Sequence, residues 1–274
     1  MIGNLAVLLN LAVPLANEAG ETIMAVYDSD FLVDYKADHS PLTVADLAAH
    51  ECLAAGLARL PGAYPVLSEE SAEISFELRK PWETYWLIDP LDGTKEFVKR
   101  NGEFTVNIAL IHRHKPVLGV VYAPVTRVCY FAAVGYGAYK QVGQGQPAPI
   151  AVRVPAASPP IVVGSRSHLT EALQVYLQRL GAHEMKSIGS SLKFCLVAEG
   201  AADLYPRLGP TSEWDTAAAQ AVVECAGGSV VDLRGEALRY NTKASLLNPF
   251  FLVFGDDAVD WLEHAQGISN ASVD

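Results

Sequence analysis

Basic residues are scarce in this chain, and the scarcity bounds its partners. Lys and Arg number 20 against 31 Asp and Glu, a formal net charge of −11. Such an acidic chain repels polyanions, which argues against a general DNA- or RNA-binding protein. No Lys or Arg occurs before Lys36, so the apolar opening lacks the basic n-region of a secretory signal. Residues 1–17 carry no charge, yet Asn4, Asn10, Pro14 and Asn17 interrupt the run and Glu18 ends it. The stretch is too short and too polar for a membrane span and reads as a helix packed on the core, with contact at a membrane surface left open. Cysteine is sparse too: Cys52, Cys129, Cys195 and Cys225 stand far apart and form no C-x-x-C pair. The spacing argues against a disulfide framework or a zinc site, and reduced core thiols are expected. No internal repeat is visible.

The chain has 274 residues, 50% hydrophobic and 19% charged. That is ample for a core and fits a soluble globular enzyme of one large domain or two small ones. Helical spacing runs over residues 5–27, with Pro14 as a start or kink. Thr43-Val44-Ala45-Asp46 opens a second helix, 44–60, which Pro61-Gly62 stops. Strands are predicted at 64–67, 85–88, 104–112, 116–123 and 127–133, with a polar, mobile loop at 68–80 and a turn-rich stretch from Gly135. Residues 143–160 are rich in Pro, Gly, Gln and Ala with one β-like run at 150–154. They mark the boundary between two halves, 1–155 and 156–274, of a single unit. The second half alternates: strands at 161–163, 202–205, 229–233 and 250–254, and helices at 169–180, 190–200, 216–226 and 257–265. This is an α/β pattern.

Acids stand where a strand or helix meets a loop. They are Asp46 at a helix start, Glu69 after a strand, Asp89 and Asp92 after the next strand, and Asp215 at a later helix start. In Asp89-Pro90-Leu91-Asp92-Gly93 the proline fixes φ and the glycine permits a tight turn, so two carboxylates can converge. Without a cation they repel, and at least one pKa rises. Oxygen donors with no Cys or His nearby suit Mg²⁺ or Mn²⁺ rather than Zn²⁺. Each acid also has a plainer reading: Asp46 and Asp215 as N-caps, Glu69 as a solvated loop charge, and 89–93 as an ordinary turn.

The combination resembles the inositol monophosphatase superfamily. Trp86-Leu87-Ile88-Asp89-Pro90-Leu91-Asp92-Gly93-Thr94 is similar to its signature, Leu67-Ser68-Glu69-Glu70-Ser71 to its upstream metal motif, and Trp214-Asp215-Thr216-Ala217-Ala218 to its downstream one, in family order. Within it, the 3′(2′),5′-bisphosphate nucleotidases are resembled by residues 36–46, by Gly93-Thr94-Lys95-Glu96-Phe97 and by residues 101–107. Ser165-Arg166-Ser167-His168, Ile188-Gly189-Ser190-Ser191-Leu192-Lys193-Phe194 and Leu204-Tyr205-Pro206-Arg207 extend the likeness.

The resemblance implies a layered αβαβα sandwich of the inositol monophosphatase and fructose-bisphosphatase type, an α+β arrangement. The first half would bind metal, the second nucleotide, and the site would lie between them. It implies Mg²⁺-dependent hydrolysis of the 3′-phosphate of adenosine 3′,5′-bisphosphate to AMP and phosphate, with the sulfated form, phosphoadenosine phosphosulfate, as a further substrate, in sulfur assimilation. Glu69, Asp89, Asp92, Asp215 and the Leu91 carbonyl would hold two or three Mg²⁺ ions, with Mn²⁺ as a substitute. Asp46 and Thr94 would form the dyad that orients the attacking water. Substrate contacts would come from Gly93, Thr94, Ser165, His168, Gly189, Lys193 and Arg207, together with the metal-binding Glu69, Leu91, Asp92 and Asp215. It also implies a cytoplasmic enzyme, weakly attached to the inner membrane's cytoplasmic face in its bacterial relatives, although the acidic balance disfavours binding through anionic lipids. Monomer and homodimer both stay open.

The residues alone keep alternatives alive. Gly189-Ser190-Ser191 before a helix offers an anion its N–H groups, or is simply a cap. Lys193 binds a phosphate or is solvated. His168 contacts the nucleotide or bonds within its loop, and Arg207 faces the substrate or stacks on Tyr205. An inositol- or sugar-phosphate phosphatase is the competing enzyme, and a non-catalytic nucleotide or metal sensor the competing class.

Overall fold

The structure, a computed structural model, describes residues 3–29, 32–35, 41–71, 73–165 and 170–269. The first half of the chain runs α1 (Leu5–Tyr27), β1 (Val33–Tyr35), β2 (Pro41–Thr43), α2 (Val44–Leu57), β3 (Val66–Ser68), α3 (Phe76–Arg79), β4 (Thr84–Asp92) and α4 (Thr94–Val98). Then come β5 (Thr105–His112), β6 (Lys115–Ala123), β7 (Val128–Ala133), β8 (Gly137–Val142) and β9 (Ala148–Pro149). The second half runs β10 (Ile161–Gly164), α5 (Glu171–Leu180), β11 (Glu184–Ser187), α6 (Leu192–Ala198), β12 (Leu204–Arg207), α7 (Glu213–Cys225), β13 (Ser229–Asp232) and β14 (Phe251–Phe254). Short 3₁₀ turns occupy Glu69–Ser71 and Trp261–Ala265.

Among the described residues, β3 to β9 form a seven-stranded sheet in sequence order, and a five-stranded sheet runs β11-β10-β12-β14-β13. The period-two alternation of each strand sorts its side chains into separate cores. Trp86 and Ile88 of β4 pack with Leu8, Leu9, Ala12 and Leu53 of α1 and α2. Their neighbours Tyr85 and Leu87 face the opposite way, onto Ala217, Ala218 and Val222 of α7 and Phe194 of α6. Phe251 and Val253 of β14 join that second core, whereas Leu252 and Phe254 pack with Leu173 and Tyr176 of α5 and with Trp261. The layers are thus α1/α2, the seven-stranded sheet, α6/α7, the five-stranded sheet, and α5 with the 261–265 turn. This is the expected αβαβα sandwich. Strands β4 to β7 of the large sheet are covered on both faces and read as near-continuous apolar runs, while β8 is partly exposed and β9, at the edge, is exposed. The middle layer fits closely: a Cβ on Gly119 of β6 would lie 2.0 Å from the Ala218 carbonyl oxygen of α7, so only glycine lets strand and helix meet there.

Several elements depart from the sequence reading. Pro14 sits inside α1 rather than opening it, and α2 ends at Leu57. The 68–80 segment is not a free loop. Arg79, 1% exposed, donates from Nη1 to Asn241 Oδ1 at 2.5 Å and from Nη2 to the Lys243 and Ala244 carbonyls at 3.2 and 2.5 Å. The β-like run at 150–154 forms no strand; Ile150 donates its N–H to Ala138 O of β8 at 3.0 Å and Val152 to Ala226 O at 3.1 Å, fastening the crossing between the sheets to the end of α7. Strands β8 and β11 fall where no strand was expected. The first follows a Gly-rich turn, and the second is an edge strand with exposed side chains and no apolar alternation. Among the described residues no helix is long and apolar enough to cross a membrane.

Candidate active site

Strand β4 runs buried through the large sheet and delivers Asp89 and Asp92 at its end. On a regular strand, residues three apart face opposite sides. Here the pairing with β5 shifts: Asp89 lies opposite Asn107 and Asp92 opposite Thr105, so three steps on one strand match two on the other. The extra residue is a β-bulge, and it restores both acids to one face. The Leu91 N–H donates to Asp89 Oδ1 at 3.1 Å, which tightens the turn. Gly93 then takes φ +91°, a left-handed conformation that releases the chain into α4 at Thr94.

Two further acids arrive on helices in the same way. Neither Asp46 nor Asp215 is an N-cap; the caps are Thr43 and Ser212, and each acid is the third residue of its helix. Asp46 Oδ2 accepts from Thr43 N at 2.8 Å and from Thr43 Oγ1 at 2.7 Å, and Asp215 Oδ2 accepts from Ser212 N at 2.8 Å. The back-bonding halves of two capping boxes thus fix both carboxylates. Glu69 follows β3, in the first position of its 3₁₀ turn.

The fold brings Glu69, Asp89 and Asp215 together, one carboxylate oxygen of each lying within 4.8 Å of the others. Burial, and then the charges of Glu69, Asp92 and Asp215, push the Asp89 carboxyl well above its ordinary range. Burial, followed by the charges of Asp92 and Glu69, pushes Asp215 up to about 8. Crowded acids of this kind are a poor resting arrangement for the bare protein and a good one for a hard cation. The donors are all oxygen, so they fit Mg²⁺ or Mn²⁺. Asp92 stands beside the trio, its Oδ2 taken by the Ser191 N–H at 2.6 Å and Ser191 Oγ at 2.8 Å. Thr94 Oγ1 lies 3.2 Å from both Asp46 Oδ1 and Leu91 O. It has one proton for two acceptors.

A cavity of about 430 Å³ opens here. Glu69, Asp89, Leu91, Asp92, Gly93, Thr94 and Asp215 line it, as do Ser165, Gly189, Lys193 and Arg207 from the second half. Lys193 is not solvated. It is 7% exposed, donates to Ser190 O at 2.7 Å and sits 5.6 Å from the Tyr205 ring centre. Burial lowers its ammonium to about 8, against the opposing pull of Asp92. The residue over Tyr205 is therefore Lys193, and Arg207 instead donates from Nη2 to Pro210 O at 2.7 Å. Among the described residues, Arg207 Nε is buried without a hydrogen-bond partner, an orphan donor at the cavity.

The expected N–H cradle at 189–191 is differently employed. Gly189 N donates to Glu103 Oε2 at 2.9 Å and Ser191 N to Asp92, so the anions already held there are the protein's own carboxylates. The following helix has only seven residues. His168 lies outside the described residues. The sequence reading gives Ser190 and Ser191 only a backbone role and Tyr205 only a stacking one, and assigns no site role to Lys95 or Glu96, although all five line the cavity, or to Asn107 behind them. The available signal for Asn107 was one amide inside the otherwise apolar run Val106–Ile111.

Residues 4–266 match the inositol monophosphatase family. The chain is 55% identical over 241 residues to the 3′(2′),5′-bisphosphate nucleotidase CysQ of Salmonella typhimurium, covering 87% of this chain and 96% of that protein. The Escherichia coli K12 protein of the same name gives the same identity and coverage. Among solved structures, CysQ from Bacteroides thetaiotaomicron, described as a bacterial member of the inositol monophosphatase family, superposes with a TM-score of 0.79 at 46% identity, covering 90% of this chain and 96% of that one.

Proposed function

This chain belongs to the inositol monophosphatase family, and on that premise we propose that it is a 3′(2′),5′-bisphosphate nucleotidase that hydrolyses the 3′-phosphate of adenosine 3′,5′-bisphosphate with Mg²⁺. One observation carries the reading: a single cavity is lined both by a crowded carboxylate cluster and by cations, among them Lys193 and Arg207 from the second half. A substrate with two phosphates suits that pairing, the ester that breaks lying at the acids and the remaining phosphate at the cations. The 3′-ester of phosphoadenosine phosphosulfate is the same bond, so the sulfated nucleotide is read as a second substrate.

Glu69, Asp89, Asp92, Asp215 and the Leu91 carbonyl would hold the Mg²⁺ ions, two or three by family resemblance, and Mn²⁺ suits the same donors. Bound there, the metal offsets the negative charge of the phosphoryl group and acidifies water. The protein's own groups do the positioning. Asp46, pinned by Thr43, accepts the Thr94 hydroxyl proton. With its proton turned away, Thr94 Oγ1 offers a lone pair that holds the attacking water in line with the P–O3′ bond. Water takes the place of O3′ on phosphorus, O3′ leaves with a proton, and no covalent enzyme intermediate forms. Gly93, which has no side chain, leaves its N–H approachable by the phosphate. The exposed Val7 and Leu11 of α1, a helix without a basic residue, supply weak contact with the inner membrane.

The test is phosphate release from adenosine 3′,5′-bisphosphate with and without EDTA, run beside phosphoadenosine phosphosulfate and inositol 1-phosphate. Release that chelator abolishes and Mg²⁺ restores is expected, with the nucleotides preferred. Faster turnover of inositol 1-phosphate would reassign the substrate, and activity indifferent to EDTA would end the metal reading.

A further inference from the structure

Ser191 sits where four parts of the chain meet. It precedes α6, is 2% exposed and lines the cavity. Its N–H and its hydroxyl both reach Asp92 Oδ2, at 2.6 and 2.8 Å. The same Oγ lies 2.9 Å from the Asp215 carbonyl oxygen. From β5, Asn107 Nδ2 donates to Ser191 Oγ at 2.9 Å and approaches Asp92 Oδ2 at 3.4 Å. Asp92 Oδ2 is therefore enclosed by donors, and Oδ1 is the oxygen left for a metal. With Asn107 donating into Oγ, the single hydroxyl proton has two destinations, Asp92 Oδ2 or Asp215 O.

We propose that Ser191 is a positioning residue of the hydrolysis, locking Asp92 in the one orientation that presents Oδ1 to the metal and tying it to the helix turn that carries Asp215. This rests on the metal-dependent reading above. An acid that ligates through one oxygen needs its other oxygen fixed, because a freely rotating carboxylate presents either oxygen and loses affinity. Ser191 also stands two residues before Lys193 on the same short segment, so the element that meets the substrate also sets the cage. Its part is not that of the anion-binding loop expected from the sequence: its N–H serves a protein carboxylate and does not reach for phosphate.

The experiment compares wild type with Ser191→Ala and Ser191→Thr, measuring Mn²⁺ affinity directly by electron paramagnetic resonance of the free ion, steady-state kcat and KM for adenosine 3′,5′-bisphosphate, and Tm. Removing an outer partner of a metal ligand typically weakens metal binding or activity by about 10–100-fold. Ser191→Ala is expected to weaken Mn²⁺ binding at least about tenfold and lower kcat similarly, with KM within about twofold. Ser191→Thr, which keeps the hydroxyl beside an open cavity, is expected to restore both to within about threefold of wild type. Unchanged Mn²⁺ affinity in Ser191→Ala overturns the proposal, whether KM rises, as for a substrate contact, or Tm falls alone, as for a purely structural residue. If Ser191→Ala does not fold, wild-type Mn²⁺ affinity in Asn107→Ser, which removes the donor into Ser191 Oγ and Asp92, would equally overturn it. Wild type that binds no Mn²⁺ fails the metal reading itself, and the inference falls with it.

Discussion

Asp46 and Asp215 hold the same position in two unrelated helices. Each is the third residue of its helix, and each carboxylate turns back onto the N–H of its own cap, at 2.8 Å in both cases. One oxygen is anchored locally, so the other can be aimed. Asp46 aims Oδ1 at Thr94, 48 residues away, and Asp215 brings an oxygen to Glu69 and Asp89. Helix capping, an ordinary stabilising device, thus presets two acids of the candidate site.

The double duty of Asp46 separates two substitutions. Thr94→Val removes the hydroxyl that, on the proposed mechanism, holds the water, and leaves the capping box intact. It is expected to lower kcat by roughly 10²-fold with Tm unchanged. Asp46→Ala should lower kcat comparably and also cost about 1 kcal/mol of stability, because the Thr43 N–H loses its acceptor. Steady-state kinetics with thermal melts check both; equal Tm losses in the two variants would contradict the argument.

Asp92→Asn should lower activity at least about 10²-fold, the scale of losing a preorganised electrostatic element. The amide keeps the shape but not the charge, and its NH₂ would face the Ser191 donors or the metal. Near-normal turnover at saturating Mg²⁺ would remove Asp92 from the cage.

The raised carboxyls fix the sign of a pH effect on the metal-free protein. Their folded pKa values lie above the unfolded ones, so they contribute stability that is fully present below the ordinary carboxylate range and is lost as pH rises through about 8, the value for Asp215. The apo protein is expected to melt lower at pH 8 than at pH 5.5. Mg²⁺ at 100 times its Kd adds roughly 2.7 kcal/mol to any native state it binds, and binding tightens as protons leave the ligands. The Mg²⁺-induced rise in Tm should therefore be larger at pH 8 than at pH 5.5. A shift independent of pH would show that these acids are not the ligands.

Lys193→Ala is expected to raise KM for adenosine 3′,5′-bisphosphate selectively, about 10-fold or more for a lost charge-assisted bond, while inositol 1-phosphate is nearly unaffected. The ammonium is lowered to about 8, chiefly by burial, so its charge is lost as pH rises past that value. In wild type, kcat/KM for the nucleotide should fall above about pH 8, since that ratio reports the free enzyme. The variant should lack this limb. Equal effects on the two substrates would make Lys193 a structural residue.

Much of the molecule was legible residue by residue because it is decided over short range. The period of α1, the paired apolar runs of β4 to β7 and the helix start at Thr43–Asp46 are local matters of periodicity and hydrogen bonding, whereas the sequence reading passes over the cap at Ser212 in favour of Asp215. The positions of the acids at element ends were legible too, but the turn at 89–93 alone also reads as an ordinary turn, and only its combination with the motifs around Glu69 and Asp215 points to a metal site. Edge strands such as β11 escaped because a strand exposed on its side chains has no apolar alternation to read.

The sequence by itself determined which oxygens this protein can offer and on which elements they stand. Only the tertiary structure decided which of those oxygens face the cavity. The bulge that turns Asp89 and Asp92 to one side depends on pairing with β5, and the anchoring of Asp92 depends on Ser191, 99 residues further along. Arg79 is held 162 residues from home by Asn241. Hydrogen bonds across such separations are set by how packed layers meet, and no local pattern encodes where a donor from one half will find an acceptor in the other.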